Sequence, residues 1–194
     1  MSNPAGIVEF WFGKPEDESY GKPRKAWFGV DDAFDGEVRR RFREDFEAGA
    51  AGRLAEWETT PEGSLALTLL LDQCSSILYK GDPRAFASDT LARQVAGRAI
   101  ANGYDQRFPS VHRWFFYLPF EHSEDPSDQE RSVELCGALE HLEPTEANKE
   151  FLDYAVRHKR VIDRFGRFPN RNAALGREST PEELEFLAGP DAPW

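Results

Sequence analysis

The chain has 194 residues, of which 24 are Lys or Arg and 35 are Asp or Glu, giving a net charge of −11. Its 40% hydrophobic residues supply enough apolar material for a core, which excludes a disordered chain and a disulfide-stapled scaffold. The acidic balance argues against general nucleic-acid coating, because phosphate neutralisation requires an excess of Lys and Arg. The length predicts a single helical domain over residues 1–194.

The composition predicts an all-α fold. Ala and Leu, which lose little side-chain entropy in a helix, far outnumber Val and Ile. Short links between long helices favour antiparallel helical hairpins. Apolar periodicity and helix-start signals predict helices at roughly 3–12, 32–48, 61–79, 83–102, 110–118, 127–141, 145–164 and 181–188.

Several boundaries of these helices rest on specific residues. Thr180 with Glu183, and Ser127 with Glu130, fit the capping box in which side chain and backbone cap each other reciprocally. Pro119 is expected to end or kink the aromatic helix before it, because proline lacks the amide that continues a helix.

The cysteines and the apolar runs bear on compartment. Cys74 and Cys136 lie inside helical apolar patterns, which favours reduced, buried thiols. The start of the chain lacks the basic and apolar stretches of a secretory signal, and the longest apolar run, Leu65–Leu71, is shorter than a membrane span. We expect a soluble cytoplasmic protein without membrane association.

Asp72 interrupts the core pattern, since it shares an inward helix face with Leu65 and Leu69. A buried carboxylate is costly unless it is paired, so an Arg from another helix is expected to reach it. Two interpretations stay open: a clamp between helices, or a carboxylate that orients a ligand-binding Arg.

Titratable groups are concentrated in the expected turn at His122-Ser123-Glu124-Asp125. A histidine beside carboxylates suits general acid–base chemistry, with His158 as a second candidate histidine. The alternative is that Ser123, Glu124 and Asp125 cap and charge the next helix N-terminus. No HExxH or CxxC spacing is present, and neither metal nor cofactor is expected.

A basic segment follows: seven basic residues and one acid lie between positions 157 and 177. Gly166 and Pro169 prevent a straight helix, so a sharp turn is expected, which could direct several guanidiniums at one carboxylate or phosphate. The alternative is that these arginines fasten the turn to the acidic segment 121–150 or neutralise helix C-termini. A nucleic-acid patch is disfavoured by the surrounding negative field.

The leading hypothesis is therefore a polar pocket that binds a small anionic ligand or an acidic peptide terminus. The arginines would supply charge, an Asn hydrogen bonds, two aromatic residues the walls and Asp72 indirect support. The predicted ligand-binding residues are Arg164, Arg167, Arg171, Asn172, Tyr117, Trp114 and Asp72.

Two other functions stay open. The first is an enzyme, for example a hydrolase, whose candidate catalytic residues are His122, Glu124, Asp125 and His158. The second is a protein–protein adaptor that presents the aromatic residues Trp57, Phe108 and Trp194 to a partner. The sequence leaves the oligomeric state open.

A set of short motifs occurs in order over nearly the whole chain: Phe10–Gly13, Leu70–Gln73, Pro83–Ala87, Pro119–Asp125, Arg164–Pro169, Leu175–Arg177 and Ser179-Thr180. These stretches resemble the bacterial family filed as domain of unknown function 924. The resemblance implies an all-helical, tetratricopeptide-like superhelical array of irregular hairpins, and it supplies no established activity and no catalytic residues.

Two departures from the family pattern bear on function. The family usually continues Asp-Gln with Phe-Pro-Arg-Asn, where this chain has Cys74, Ser75, Ser76 and Ile77, and it usually has His at the position of Asn170. If the replaced Arg and His belong to the family's site, this member has altered or lost that function.

Overall fold

The computed structural model describes residues 2–29 and 31–189, and within these ranges all regular secondary structure is helical. The predicted all-α class is confirmed, while the tetratricopeptide-like array stays a prediction. No helix in these ranges is long and apolar enough to cross a bilayer. The α-helices are α1 (Pro4–Phe12), α2 (Asp32–Ala50), α3 (Pro61–Thr68), α4 (Ser75–Leu78), α5 (Asp89–Ala101), α6 (Ser110–Glu121), α7 (Pro126–Leu142), α8 (Glu146–Phe165) and α9 (Pro181–Ala188).

The chain forms two compact units. The first unit comprises Met1–Lys80 and Arg84–Pro119, and the second comprises Gly81–Pro83 and Phe120–Trp194. Each unit is described separately below. A single domain over residues 1–194 stays a prediction.

Aromatic side chains fill the core of the first unit. Phe115 of α6 is 1% exposed, and its ring meets those of Trp11, Phe12 and Trp27 edge-on, with centroids 5.1–5.9 Å apart. Edge-to-face contacts of this kind stabilise aromatic pairs beyond the area that they bury. In α2, four apolar residues spaced four apart form one buried stripe: Phe34, Val38, Phe42 and Phe46.

The helix predicted at 61–79 is central and buried, but it is not uniform. Between α3 and α4 the chain forms a π-helical segment, Leu69–Cys74. The Ser88 hydroxyl donates to the carbonyl of Leu71 at 2.6 Å, inside this segment. A π-helical segment often lies beside a functional site.

The same Ser88 contact corrects the helix predicted at 83–102. Residues Pro83–Phe86 form a 3₁₀ turn, and α5 begins only at Asp89. Ser88 is the N-cap residue of α5, yet its side chain makes no cap hydrogen bond because it is engaged with Leu71.

The end of α6 also differs from the prediction. The helix continues through Pro119 to Glu121, where the sequence suggested an end at residue 118. In the second unit, the Gln129 amide donates to the carbonyl oxygens of Glu121 at 2.5 Å and Ser123 at 2.7 Å. A buried side chain thus satisfies carbonyls at the helix end, where α-helices leave acceptors without partners.

In the second unit, α7 and α8 pack against each other. The capping box predicted at Ser127 is wrong: α7 begins at Pro126, and the Asp125 carboxylate accepts from the Ser127 amide at 2.8 Å. Asp125 is the N-cap residue because Pro126, which follows it, occupies the first helical position. Proline is favoured there, since an amide at that position would have no partner within the helix. The capping box of Thr180 with Glu183 is confirmed at α9.

Candidate functional site

The basic turn, residues 164–177, begins where α8 ends. Gly166 ends that helix at φ +66°, in the left-handed region that glycine adopts without steric cost. Arg167 then binds Glu183 of α9 through Nε and Nη2, at 2.6 and 2.8 Å. Because Arg167 hydrogen-bonds the carboxylate, the pKa of Glu183 is lowered to about 2. This pair fixes the turn against α9.

A second bidentate pair holds the turn to the residues that precede α7. Arg177 donates to both oxygens of Glu124, at 2.7 and 2.9 Å. The Phe168 amide adds a bond of 2.7 Å to the same carboxylate. Burial raises the pKa of Glu124, but the hydrogen bonds from Arg177 and Phe168 outweigh it and lower the pKa below its usual value. Glu124 therefore serves as an anchor for the turn.

The other arginines of the turn also bond groups of the second unit. Arg164 pairs with Glu182 at 2.7 Å on the surface. Arg171 donates to the carbonyl of His122 at 2.8 Å and lies over the Phe168 ring. Asn172 donates to Ser179 and to Glu183. The Arg171 contact reaches the acidic segment 121–150, as the fastening alternative expects, whereas Arg164 and Asn172 bond residues of the segment 179–183. Binding of an external anion by Arg164, Arg167, Arg171 and Asn172 stays a prediction.

His158 of α8 meets a carboxylate that the sequence reasoning did not assign. Its Nδ1 lies 3.0 Å from Oε1 of Glu121, and both side chains are at most 10% exposed. The same Nδ1 lies 2.9 Å from the carbonyl oxygen of Tyr154. Both neighbours are acceptors, so in the neutral form of the ring they favour the tautomer with its proton on Nδ1 and its lone pair on Nε2.

Glu121 has unused hydrogen-bonding capacity. Its Oε2 is buried and has no hydrogen-bond partner among the described residues. The same is true of Oε1 of Gln129, the residue whose amide holds the end of α6. Buried acceptors without partners are costly and are usually satisfied by ordered water or a ligand.

The rings of His122 and His158 have their centroids 6.2 Å apart. The Phe168 ring packs edge-on against His158 at 5.6 Å and stacks under Arg171. We call Glu121, His122 and His158 the acid–base corner. The corner thus combines a carboxylate with two imidazoles, and the Phe168 ring lies between one of these imidazoles, His158, and the Arg171 guanidinium.

The other predicted site residues have these positions. Asp125 caps α7. Tyr117 and Trp114 are buried in the first unit, where the Tyr117 hydroxyl donates to Asp105 at 2.8 Å. Asp72, also in the first unit, accepts from the Gln73 amide at 2.6 Å; its expected Arg stays a prediction. Within the described residues no group of three or more His, Cys, Asp or Glu is arranged for a metal ion.

The adaptor hypothesis named aromatic residues whose exposure is now known in part. Trp57 and Phe108 are only half-exposed, and Trp194 lies outside the described residues. The large apolar side chains that are most exposed are others: Phe28, Leu142, Tyr154 and Leu184. The adaptor role stays a prediction.

Two important residues, Glu121 and Glu183, were missed as site residues. Glu121 is an acid that directly follows the buried aromatic run of α6. Had α6 been continued through Pro119, helical spacing would have placed Glu121 one turn after Tyr117 on a buried face. Glu183 carried only a capping signal, which gives no information about Arg167.

Comparison with known proteins agrees with this fold. A family model described as "Bacterial protein of unknown function (DUF924)" matches residues 7–191. A solved structure, that of the protein of unknown function ATU0120 from Agrobacterium tumefaciens, is similar with 41% identity and a TM-score of 0.81, covering 95% of this chain and 96% of that one. No curated protein matches. The chain therefore belongs to the DUF924 family of bacterial proteins of unknown function.

Proposed function

We propose that the second unit is an acid–base catalyst that acts on a small anionic substrate, with hydrolysis as the class of reaction. The observation that carries this proposal is the 3.0 Å contact between Nδ1 of buried His158 and Oε1 of buried Glu121. A carboxylate that accepts the Nδ1 proton orients the imidazole and stabilises the imidazolium that forms during proton transfer.

The roles follow from the tautomer. With Nδ1 protonated, Nε2 of His158 takes a proton from an attacking water and returns it to the leaving group. Glu121 positions the ring and balances its charge. His122, whose ring lies 6.2 Å away, is within the span of one small bridging substrate.

The preference for an anion rests on Arg171. Its guanidinium lies 4.8 Å from the centroid of the Phe168 ring, and the same ring packs against His158. A guanidinium so near the reacting imidazole favours a substrate that carries a carboxylate or a phosphate. This retains the small anionic ligand predicted from the sequence and assigns a smaller set of residues to it.

The remaining arginines support the corner indirectly. Arg167 and Arg177 hold the turn that carries Phe168 and Arg171, through Glu183 and Glu124. Catalytic groups need rotamers fixed by their neighbours, and these two ion pairs provide that support. A cytoplasmic location is proposed as well, since Cys74 and Cys136 are both buried free thiols.

The test is hydrolysis of p-nitrophenyl phosphate, p-nitrophenyl sulfate and N-acetylglutamate by the purified chain and by three variants. His158→Asn is expected to lower kcat by about 10²–10⁴-fold, the usual contribution of a general base. Glu121→Gln is expected to give a loss of about tenfold or more with little change in KM, because it removes orientation and charge balance. His141→Asn is the matched control, since His141 is exposed on α7.

Nitrogen NMR of the histidine rings supplies a test that needs no substrate. The neutral His158 ring is expected to carry its proton on Nδ1, and Glu121→Gln is expected to change that preference. A neutral ring protonated on Nε2, or a His158→Asn variant as active as the His141→Asn control, would overturn the proposal. Failure to turn over any of the three substrates counts against hydrolysis of small anions.

A further inference from the structure

The segment that precedes α1 contacts a buried carboxylate of the first unit. The Ser2 amide donates to Oδ1 of Asp45 at 2.9 Å, across forty-three residues of sequence. Asp45 belongs to α2 and is only 1% exposed. Both residues lie within the first unit. The contact therefore places the backbone nitrogen of Ser2 beside an acid that water scarcely reaches.

Asp45 lacks an opposite charge. No Lys, Arg or His side chain in residues 2–29 or 31–189 forms an ion pair with it, and its Oδ2 is buried without a hydrogen-bond partner in those ranges. The Ser2 amide donates a single hydrogen bond and carries no charge, so it satisfies one oxygen only. A buried carboxylate in this state strongly destabilises a fold, and a cation beside it would remove that cost.

The surroundings of Asp45 are negative. Burial is the largest cause that raises the pKa of the Cys74 thiol, and the charges of Asp45 and then of Asp72 raise it further. Two carboxylates thus act on one buried thiol, which stays neutral and supplies no counter-charge. A positive charge beside Asp45 would lower the electrostatic energy of this whole region.

Helix α1 holds Ser2 at this position. Asn3 caps the helix by accepting from the Gly6 amide at 2.7 Å, and the buried side chains of Ile7 and Trp11 anchor the helix in the core. Ser2 directly precedes the cap, so its backbone path is fixed by the residues that follow it. Its nitrogen therefore stays within reach of Asp45 whether that nitrogen is an amide or an amine.

We propose that the Met1–Ser2 peptide bond is a processing site, and that the α-ammonium group of Ser2 released by its hydrolysis is the counter-ion of Asp45. Water is the co-reactant. Its oxygen joins the Met1 carbonyl carbon, which leaves as a carboxylate, and its two protons convert the Ser2 amide nitrogen into an ammonium group. Cleavage frees the same nitrogen whatever precedes Met1.

The ammonium group supplies what the amide lacks. It has three N–H donors, so it can bond both oxygens of Asp45, and bonds between charged groups are the stronger ones. An α-amino group is mostly protonated at neutral pH. A positive charge before α1 is otherwise unfavourable, because a helix N-terminus is itself positive, and the Asp45 carboxylate compensates for both. Neither Ser2 nor Asp45 belongs to the acid–base corner, so this proposal is independent of the proposed function.

The experiment compares two chains released from a cleavable fusion, one beginning at Met1 and one beginning at Ser2. Thermal unfolding of the Ser2 form is expected at a temperature higher by about 5 °C or more, because pairing a buried charge strongly stabilises a fold. An N-acetylated Ser2 form keeps an N–H but has no charge, so it is expected to unfold where the Met1 form does. These comparisons leave Asp45 unchanged and therefore do not depend on whether an Asp45 variant folds.

Two variants make the result specific. Asp45→Asn is expected to lower the unfolding temperature of the Ser2 form more than that of the Met1 form, since only the Ser2 form loses an opposite charge. Glu44→Gln, at the exposed neighbouring position of α2, is expected to affect both forms equally. Mass spectrometry of residues 1–194 expressed in bacteria is expected to show a chain without Met1. Equal unfolding temperatures of the two parent forms, an equal effect of Asp45→Asn on both, or retention of Met1 after expression would each overturn the proposal.

Discussion

His112 in the first unit and His158 in the second are both buried, but their surroundings differ. His112 is stacked on Phe12, with ring centroids 3.8 Å apart, and neither ring nitrogen has a hydrogen-bond partner among the described residues. His158 contacts the Glu121 carboxylate and the Tyr154 carbonyl oxygen. The first environment excludes a positive charge, whereas the second is able to stabilise one.

The contrast extends to how each unit is held together. Phe115 meets neighbouring rings on several sides, and its contacts are apolar and insensitive to salt or pH. Glu183, by comparison, joins Arg167, Asn172 and Thr180 through charged hydrogen bonds. A catalytic group that changes its charge is better placed among charged hydrogen-bonding neighbours than in an aromatic core. The reason is that an apolar core destabilises every ionised state.

The largest effect is expected from Phe115→Ala. Removing a ring that is 1% exposed should lower the free energy of unfolding by about 3–5 kcal/mol, through lost burial and the cavity left behind. Phe28→Ala is the control, since Phe28 stacks on Phe115 but is 59% exposed. Urea titrations measure both values; a loss for Phe28→Ala as large as for Phe115→Ala would contradict the aromatic-core account.

The burial of His112 predicts that the protein loses stability as the pH falls. Burial lowers the pKa of His112 from 6.5 to about 4, so between these values the unfolded chain binds the proton more readily than the folded one. The contribution of His112 to stability is therefore complete above pH 6.5, falls as the pH drops, and levels off near pH 4. The loss is about 3 kcal/mol.

The check is to measure the free energy of unfolding of His112→Phe from pH 7 to pH 4. Phe keeps the stacking on Phe12 but has no proton to bind, so the variant is expected to lose less stability over this interval than the parent. His141→Phe, at an exposed position, should keep the parent's pH dependence. Parallel curves for parent and His112→Phe would show that the unpartnered ring is not the source.

The ion pair of Glu183 with Arg167 predicts a smaller loss of stability, at lower pH. The pKa of Glu183 is lowered from 4.5 to about 2, first by the hydrogen bonds from Arg167. Its contribution is present above pH 4.5 and is lost as the pH falls through 2, since the carboxylate must be ionised to hold the guanidinium. Water around the partly exposed Arg167 screens this interaction.

Thermal unfolding of Glu183→Gln should show a weaker pH dependence than the parent between pH 4.5 and pH 2. Glu182→Gln, whose carboxylate is 60% exposed beside Arg164, should behave as the parent does. If both variants change the pH dependence between pH 4.5 and pH 2 equally, the burial of Glu183 does not explain why its ion pair contributes more to stability than the pair of Glu182.

The smallest effect is expected from Arg164→Ala. Its pair with Glu182 is more than half exposed on both sides, so the change in the free energy of unfolding should be below about 1 kcal/mol. Denaturant titration at low and high salt measures it. A loss as large as that of Phe115→Ala would require Arg164 to have a role beyond this surface pair.

Much of the fold follows from short stretches of sequence. The α2 stripe and the capping box at Thr180 depend on residues within a turn or two of helix, where spacing fixes which side chains are neighbours. The π-helical segment at Leu69–Cys74 is different. Its carbonyl contact comes from Ser88, seventeen residues later, and no local pattern indicates such a partner.

The candidate site shows the same division more sharply. The sequence located both the histidines and the basic turn, because their composition is unusual within an acidic chain. It did not determine which acid meets which base: Glu124 meets Arg177 across fifty-three residues, and Arg167 meets Glu183 across sixteen.

Residue types and helix periodicity thus determined the all-α class, the buried faces and the places where charge gathers. The tertiary structure decided that Glu121 contacts His158 and that Glu124 pairs with Arg177. The physical reason is range: helix formation is governed by neighbours in sequence, whereas the pairing of charges depends on which faces meet after packing.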